Sequence, residues 1–181
     1  DMTKTKQIVY SAVFLILGVV IPQAFHFIPI GNTGSVLLPM HISVLLCGFF
    51  MGPWWGVLVG GITPALSSLL TGMPPLQRLP FMVIELAIYG LIAGLCYRNL
   101  KLKNSIVRIY LSLVIAMIAG RGVYALCLLV ATKLLHLQMM GPIAAVNATI
   151  QGIPGILIQL VLIPPIVYQG RKSGLFHGSE K

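Results

Sequence analysis

Six apolar runs, at about 7–27, 36–51, 54–71, 80–98, 106–133 and 142–169, fill this chain and are separated by short polar or Pro/Gly stretches. Several approach the ~20 residues that carry a helix across ~30 Å of hydrocarbon. In lipid a backbone must satisfy its own hydrogen bonds, which leaves helices or closed barrels. A barrel would alternate polar and apolar residues in short segments, whereas these runs are continuous. Only 8% of residues are charged and the mean hydropathy is +0.97, against roughly 25% charged in a soluble domain. The predicted fold class is therefore all-α integral membrane, a compact bundle of six transmembrane helices. Residues 1–181 form a single domain with no room for a soluble one. The tightest boundary is "FFMGPWWG" (49–56), between the second and third spans.

The net charge of +9 is a topology signal before it is a nucleic-acid signal, because the basic residues cluster between apolar runs. An even number of spans puts both termini on one side with the fourth-to-fifth loop. That side collects Lys4, Lys6, Arg98, Lys101, Lys103, Arg108, Arg171, Lys172 and Lys181; the other has only Arg78 and Lys133. The positive-inside bias makes the termini cytoplasmic. Asp1 ahead of Met2 reads as a remnant foreign to the natural start. The segment after "TKTK" lacks a small-x-small cleavage site and reads as a retained first helix. Cys47, Cys96 and Cys127 fall within apolar runs without CxxC spacing, and read as small buried groups rather than disulfides or metal ligands.

Orientation gives each polar residue a depth. Glu85, the only acid away from the chain ends, is about one and a half turns into the fourth span. Arg121 is about three turns from the outer end of the fifth. His41 lies in the outer part of the second span, and Asn147 and Gln151 lie one turn apart in the outer half of the sixth. Separate stretches thus contribute polar groups to one outward layer. An ionised residue at mid-membrane costs roughly 2.5–3.5 kcal/mol, so it faces the interior or a polar cavity. Two readings stand: a buried Glu85–Arg121 pair joining helices, or contacts to a polar ligand. Tyr89, four residues from Glu85, and Tyr124, three from Arg121, place a ring beside each charge. Carboxylate, guanidinium, amides and rings suit a small polar, heteroaromatic solute. His41 either joins them or bonds a neighbouring carbonyl, while His136 and His177 lie at or beyond span ends.

Gly52, Gly56 and Gly60 form a small-xxx-small stripe, for packing inside the bundle or for receiving a partner. Pro22, Pro64 and Pro154 are expected to kink their helices, and Gly152, Pro154 and Gly155 to weaken the sixth span. GxxxxGK[ST], HExxH and GxSxG are all missing, so the chain reads as non-catalytic and without its own nucleotide site.

The stretches "GSVLLPMHISVLLCGFFMGPWWGVLVGGITPALSSLLTGMPP" (34–75) and "LPFMVIELAIYGLIAGL" (79–95) resemble the substrate-binding S components of energy-coupling factor (ECF) vitamin transporters. Among those, the pattern is most similar to the hydroxymethylpyrimidine, pyridoxine and pantothenate members. The resemblance implies partners: a transmembrane coupling subunit and two cytoplasmic ATPases that use the ATP and Mg, with no cofactor in this chain. It also implies a bacterial plasma-membrane location, capture of a vitamin from outside, and delivery by toppling on the coupling subunit. The first external loop, 26–35, would cover the site. The family's AxxxA docking pattern is reduced here to Ala12, with Ile16 in place of the second alanine. Ala12 with Gly52, Gly56 and Gly60 are the expected docking positions. Glu85, Arg121, His41, Tyr89, Tyr124, Asn147 and Gln151 are the expected substrate contacts. Arg121 would suit the carboxylate of pantothenate; Glu85 with His41 and the tyrosines suits a neutral or weakly basic ring. Two other classes remain open: a stand-alone carrier or channel, and a membrane-anchor subunit, for instance one holding haem through His26 and His41.

Overall fold

A computed structural model of the chain describes residues 3–26, 39–133 and 143–174. Seven helices appear among them: α1 (Lys4–His26), α2 (Pro39–Met51), α3 (Pro53–Thr71), α4 (Leu79–Asn99), α5 (Ser105–Lys133), α6 (Ile143–Gln151) and α7 (Ile153–Lys172). Five of them, α1, α3, α4, α5 and α7, are long and apolar enough to cross a membrane. The expected external loop, His136 and His177 lie outside the described residues.

The two remaining helices depart from a plain six-span bundle. α2 has only 13 residues, ~20 Å at 1.5 Å per residue. Every residue in it except Ile42 and Leu46 is buried. It is apolar all round because helices surround it: α1, α3, α4 and α7 all pack on it. A helix sheathed in protein has no need to match the lipid thickness. The expected sixth span is broken into α6 and α7 at Gly152. Pro154 has no N–H to give to the preceding turn and disfavours helical backbone before it, so the chain restarts there, Ile156 N–H donating to Gly152 O (2.9 Å). Pro22 and Pro64, by contrast, lie inside continuous helices.

Local chemistry sets the joints. Gly52 alone separates α2 from α3, at φ 100°, a conformation that a side chain resists. Gly72 closes α3 in the left-handed region, its N–H bonded to Ser68 O at 2.9 Å. Ser67 Oγ and Ser68 Oγ then donate to Met73 O and Pro74 O (2.7 and 2.8 Å), fixing the turn that launches α4. Asn104 Oδ1 accepts from the N–H groups of Ile106 and Val107 (3.0 and 3.4 Å) and caps α5.

The glycine stripe is consumed inside the bundle. A methyl on Gly56 would overlap the backbone of Gly90, and one on Gly60 would overlap Leu86 O. Gly48 of α2 also faces Gly90, so three helices converge there at backbone contact. Ala12 instead lies on an exposed apolar face of α1 with Ile8, Val9 and Ile16. The core proper is filled by Val44, Leu45, Phe49, Leu86, Ile109, Leu113, Ile163 and Val167.

Hydrogen bonds reveal the helix directions. Trp55 Nε1 donates to Gln7 (3.2 Å), Arg98 to Met51 O (3.4 Å), Arg108 to the Tyr97 hydroxyl (3.1 Å) and Arg171 to Phe49 O (2.6 Å). The starts of α1, α3 and α5 therefore meet the ends of α2, α4 and α7 at one basic end. His41, Glu85 and Arg121 occupy the opposite half.

Candidate functional site

Three helices bring the internal charges together. α4 enters its path at the turn fixed by Ser67 and Ser68, which sets Glu85 two turns down and Tyr89 one turn further on the same buried face. α5 runs antiparallel to α4 and delivers Arg121 and Tyr124, while α2 delivers His41 just after its first residues. Arg121 Nη1 lies 3.2 Å from Glu85 Oε1. His41 Nε2 lies 3.9 Å from the same oxygen, and its ring meets Tyr89 edge-on at 5.1 Å. Tyr89 and Tyr124 both lie within the electrostatic reach of Glu85 and Arg121.

Burial is graded across this cluster. Glu85 is 2% exposed and His41 3%, whereas the Arg121 side chain is 14% exposed and Tyr124 9%. Glu85 and His41 are thus the most buried members of the cluster, and Arg121 and Tyr124 the more exposed ones. Among the described residues, neither nitrogen of His41 has a hydrogen-bond partner, nor do Nε and Nη2 of Arg121. Buried polar groups in folded proteins are normally met by a partner, so these nitrogens are the groups of the cluster able to meet a small polar molecule with matching donors and acceptors.

The ion pair and the ligand reading are therefore not exclusive alternatives in this geometry. Glu85 pairs with Arg121 through one nitrogen, Tyr89 is a further side-chain partner of the guanidinium, and Nε and Nη2 make no hydrogen bond among the described residues. Gly120, next to Arg121, was not singled out by the sequence. A methyl there would come within 2.8 Å of the Tyr89 ring, so the missing side chain makes room for that ring to lie between His41 and α5. The available signal was a glycine beside a charge in mid-helix, a position where glycine costs about 1 kcal/mol relative to alanine. Arg78, placed by its charge in the turn before α4, also acts on Tyr124.

Asn147 and Gln151 lie on α6 and both are exposed. The break at Gly152 separates their helix from α7, and α6 packs mainly on α5 and α7. The structure brings five of the seven expected substrate contacts into one cluster and leaves these two on the flank. Gly155, next in their row, is buried.

The model of one protein family, described as ECF transporter, substrate-specific component, matches residues 6–167. No curated protein and no solved structure matches the chain.

Proposed function

This chain belongs to the family of substrate-specific components of ECF transporters, and from that premise we propose that the Glu85–Arg121 cluster is its substrate site. The chain is a multi-pass membrane protein and the substrate-binding subunit of a transport system, not a catalyst. Membership implies association with a transmembrane coupling subunit and ATPase subunits. On our reading these partners hydrolyse the ATP, in the plasma membrane of a bacterium. The S component takes its cargo from outside and topples on the coupling subunit to release it.

The favoured cargo is a neutral or weakly basic heteroaromatic vitamin or precursor, of the hydroxymethylpyrimidine or pyridoxine type. The observation that carries this reading is the mixed set of unfilled groups beside two tyrosine rings. The two unpartnered nitrogens of His41 and two of Arg121 can exchange hydrogen bonds with ring nitrogens, amino or hydroxyl groups, and the rings can stack on an aromatic face. A neutral ring leaves the Glu85–Arg121 pair intact. A carboxylate ligand would compete with Glu85 for the same guanidinium and bring a second negative charge to a low-dielectric site. Pantothenate is the second reading, because Arg121 keeps Nε and Nη2 available for a bidentate carboxylate contact.

Mass spectrometry of small molecules that co-purify with the protein, followed by titration of the identified compound into Glu85→Gln and Arg121→Ala variants, tests the assignment. A pyrimidine or pyridine compound whose affinity falls at least ~10-fold in both variants is expected, the loss of ~1.4 kcal/mol or more that a charged hydrogen bond supplies. Unchanged affinity in both variants removes the site assignment. Recovery of a carboxylate vitamin moves the substrate to the second reading.

A further inference from the structure

We propose that Gln159 is a further specificity-determining residue of the Glu85–Arg121 site, its carboxamide recognising an aminopyrimidine edge, where a ring nitrogen stands next to an exocyclic amino group. The proposal rests on the reading of that cluster as the substrate site. It narrows the cargo from heteroaromatic vitamins in general to those that carry such an edge.

The row of Asn147, Gln151 and Gly155 continues, four residues on, at Gln159. The break at Gly152 leaves the first two exposed on α6, whereas Gly155 and Gln159 lie on the buried face of α7 with Ile163 and Val167. α7 packs on α2 and α5, and Ile163 and Val167 belong to the same core as Leu113, Ala116 and Tyr89. Gln159 itself is 1% exposed. An amide so deep in a membrane bundle is costly unless it is hydrogen-bonded, yet the two turns inward of it on this face are aliphatic.

Helix register fixes its depth. Arg108 of α5 and Arg171 of α7 meet over one Tyr97 ring, 4.4 and 5.0 Å from its centroid, which sets these antiparallel helices level at that point. Twelve residues outward, about 18 Å along either helix, stand Gly120 on α5 and Gln159 on α7. Gly120 precedes Arg121 and is the position against which the Tyr89 ring lies. α2 gives the same depth. Arg171 donates to Phe49 O, and eight residues back along these parallel helices stand Ile163 and His41, one turn from Gln159. In depth Gln159 is thus within about a turn of His41, Tyr89 and Arg121, and α7 is a fourth helix at the cluster.

The chemistry follows from the side chain. A carboxamide has two donor hydrogens and an oxygen with two lone pairs, so a bond within the bundle orients it without exhausting it. One N–H and the oxygen, side by side, match a ring-nitrogen acceptor beside an amino donor, the pairing by which Gln and Asn recognise adenine. The guanidinium of Arg121 only donates and the carboxylate of Glu85 only accepts, so neither offers a donor and an acceptor together.

Calorimetric titration of the purified full chain with 4-amino-5-hydroxymethyl-2-methylpyrimidine, and with the same compound lacking the amino group, tests this. The parent is expected to prefer the amino compound at least about tenfold, because a site built to hydrogen-bond a group rejects the analogue without it. Gln159→Met, similar in volume and apolar, should lose most of that preference while binding the des-amino compound about as well as the parent. Gln159→Asn, which withdraws the amide by one methylene, should also reduce the preference and serves where Gln159→Met does not fold. A preference retained in both variants overturns the proposal. So does an equal loss for the two compounds, the mark of a structural role, or a parent that binds both alike or neither. Arg121→Ala separates this from the site assignment. If that variant binds like the parent, the cluster reading fails; if it loses binding while Gln159→Met keeps the preference, Gln159 alone is refuted.

Discussion

Replacing glycine by alanine five residues apart on α3 should change stability in opposite directions. Gly61 has no atom within 4 Å of the position a Cβ would take, whereas a Cβ on Gly56 would fall within 3 Å of the O, C and Cα of Gly90. Both substitutions remove the same helix penalty, about 1 kcal/mol per glycine. Gly61→Ala keeps that gain. Gly56→Ala must also push α3 off α4, and its obstacles are backbone atoms that cannot rotate away. Overpacking costs about 1–3 kcal/mol, and three simultaneous backbone overlaps place this case at the upper end. The net expectation is a loss of about 2 kcal/mol for Gly56→Ala and a gain of up to about 1 kcal/mol for Gly61→Ala. Reversible unfolding of the purified, isolated chain in mixed detergent micelles measures both. The comparison also separates two uses of the glycine stripe, since a stripe kept for a partner would leave the isolated chain indifferent to Gly56→Ala. A Gly56→Ala variant as stable as the parent would refute the close contact at Gly90.

The buried pair gives a second expectation. Glu85→Gln and Arg121→Met should each destabilise by about 3–5 kcal/mol, while the double variant loses less than their sum; additive losses in a double-mutant cycle would show that the two charges do not interact. Gly120→Ala presses on the Tyr89 ring and should weaken binding of the co-purifying compound several-fold with little change in secondary structure, read by ligand titration and circular dichroism. Trp55→Phe removes the bond to Gln7 and should cost about 0.5–1.5 kcal/mol in the same unfolding assay.

Helix content and the pairing of charges were legible because both follow from one-dimensional rules. A long apolar run in lipid has to be a helix, and an acid and an arginine inside such runs have to find each other or something polar. The expected boundary at "FFMGPWWG" holds, since Gly52 and Pro53 each constrain the backbone locally. Other features depended on what surrounds an element. α2 reads as one span among six, yet its role as the buried centre is set by four neighbouring helices. Asn147 and Gln151 share a helical row with Gly155, but periodicity assumes one continuous helix, and the break at Gly152 invalidates it there. Gly120 was missed because the reason for a glycine at that position, the Tyr89 ring, comes from another helix.

The geometry of the Glu85 cluster also bears on why it exists at all. A bundle that needed only to be stable would do better with packed aliphatic side chains at these positions, because desolvating two charges consumes most of what their attraction returns. The cluster compounds that cost: both nitrogens of His41 and two of Arg121 lack partners among the described residues, each a liability of about 1–3 kcal/mol. A purely structural staple would leave its spare donors facing water or a carbonyl. Here they lie beside two aromatic rings, Arg121 and Tyr124 being the more exposed and Glu85 and His41 the more buried. On the reading of this cluster as the substrate site, a molecule of suitable size and polarity would meet these groups, so ligand binding and stability should be coupled. Saturation with the co-purifying compound should raise the unfolding midpoint by the amount that mass action at its Kd requires. That gain should be smaller in His41→Phe, which keeps a ring against Tyr89 and discards the unpartnered nitrogens. His41→Phe should also be at least as stable as the parent without ligand. An empty His41→Phe protein that is markedly less stable than the empty parent would show that the histidine is held for structure, and would refute this account of the site.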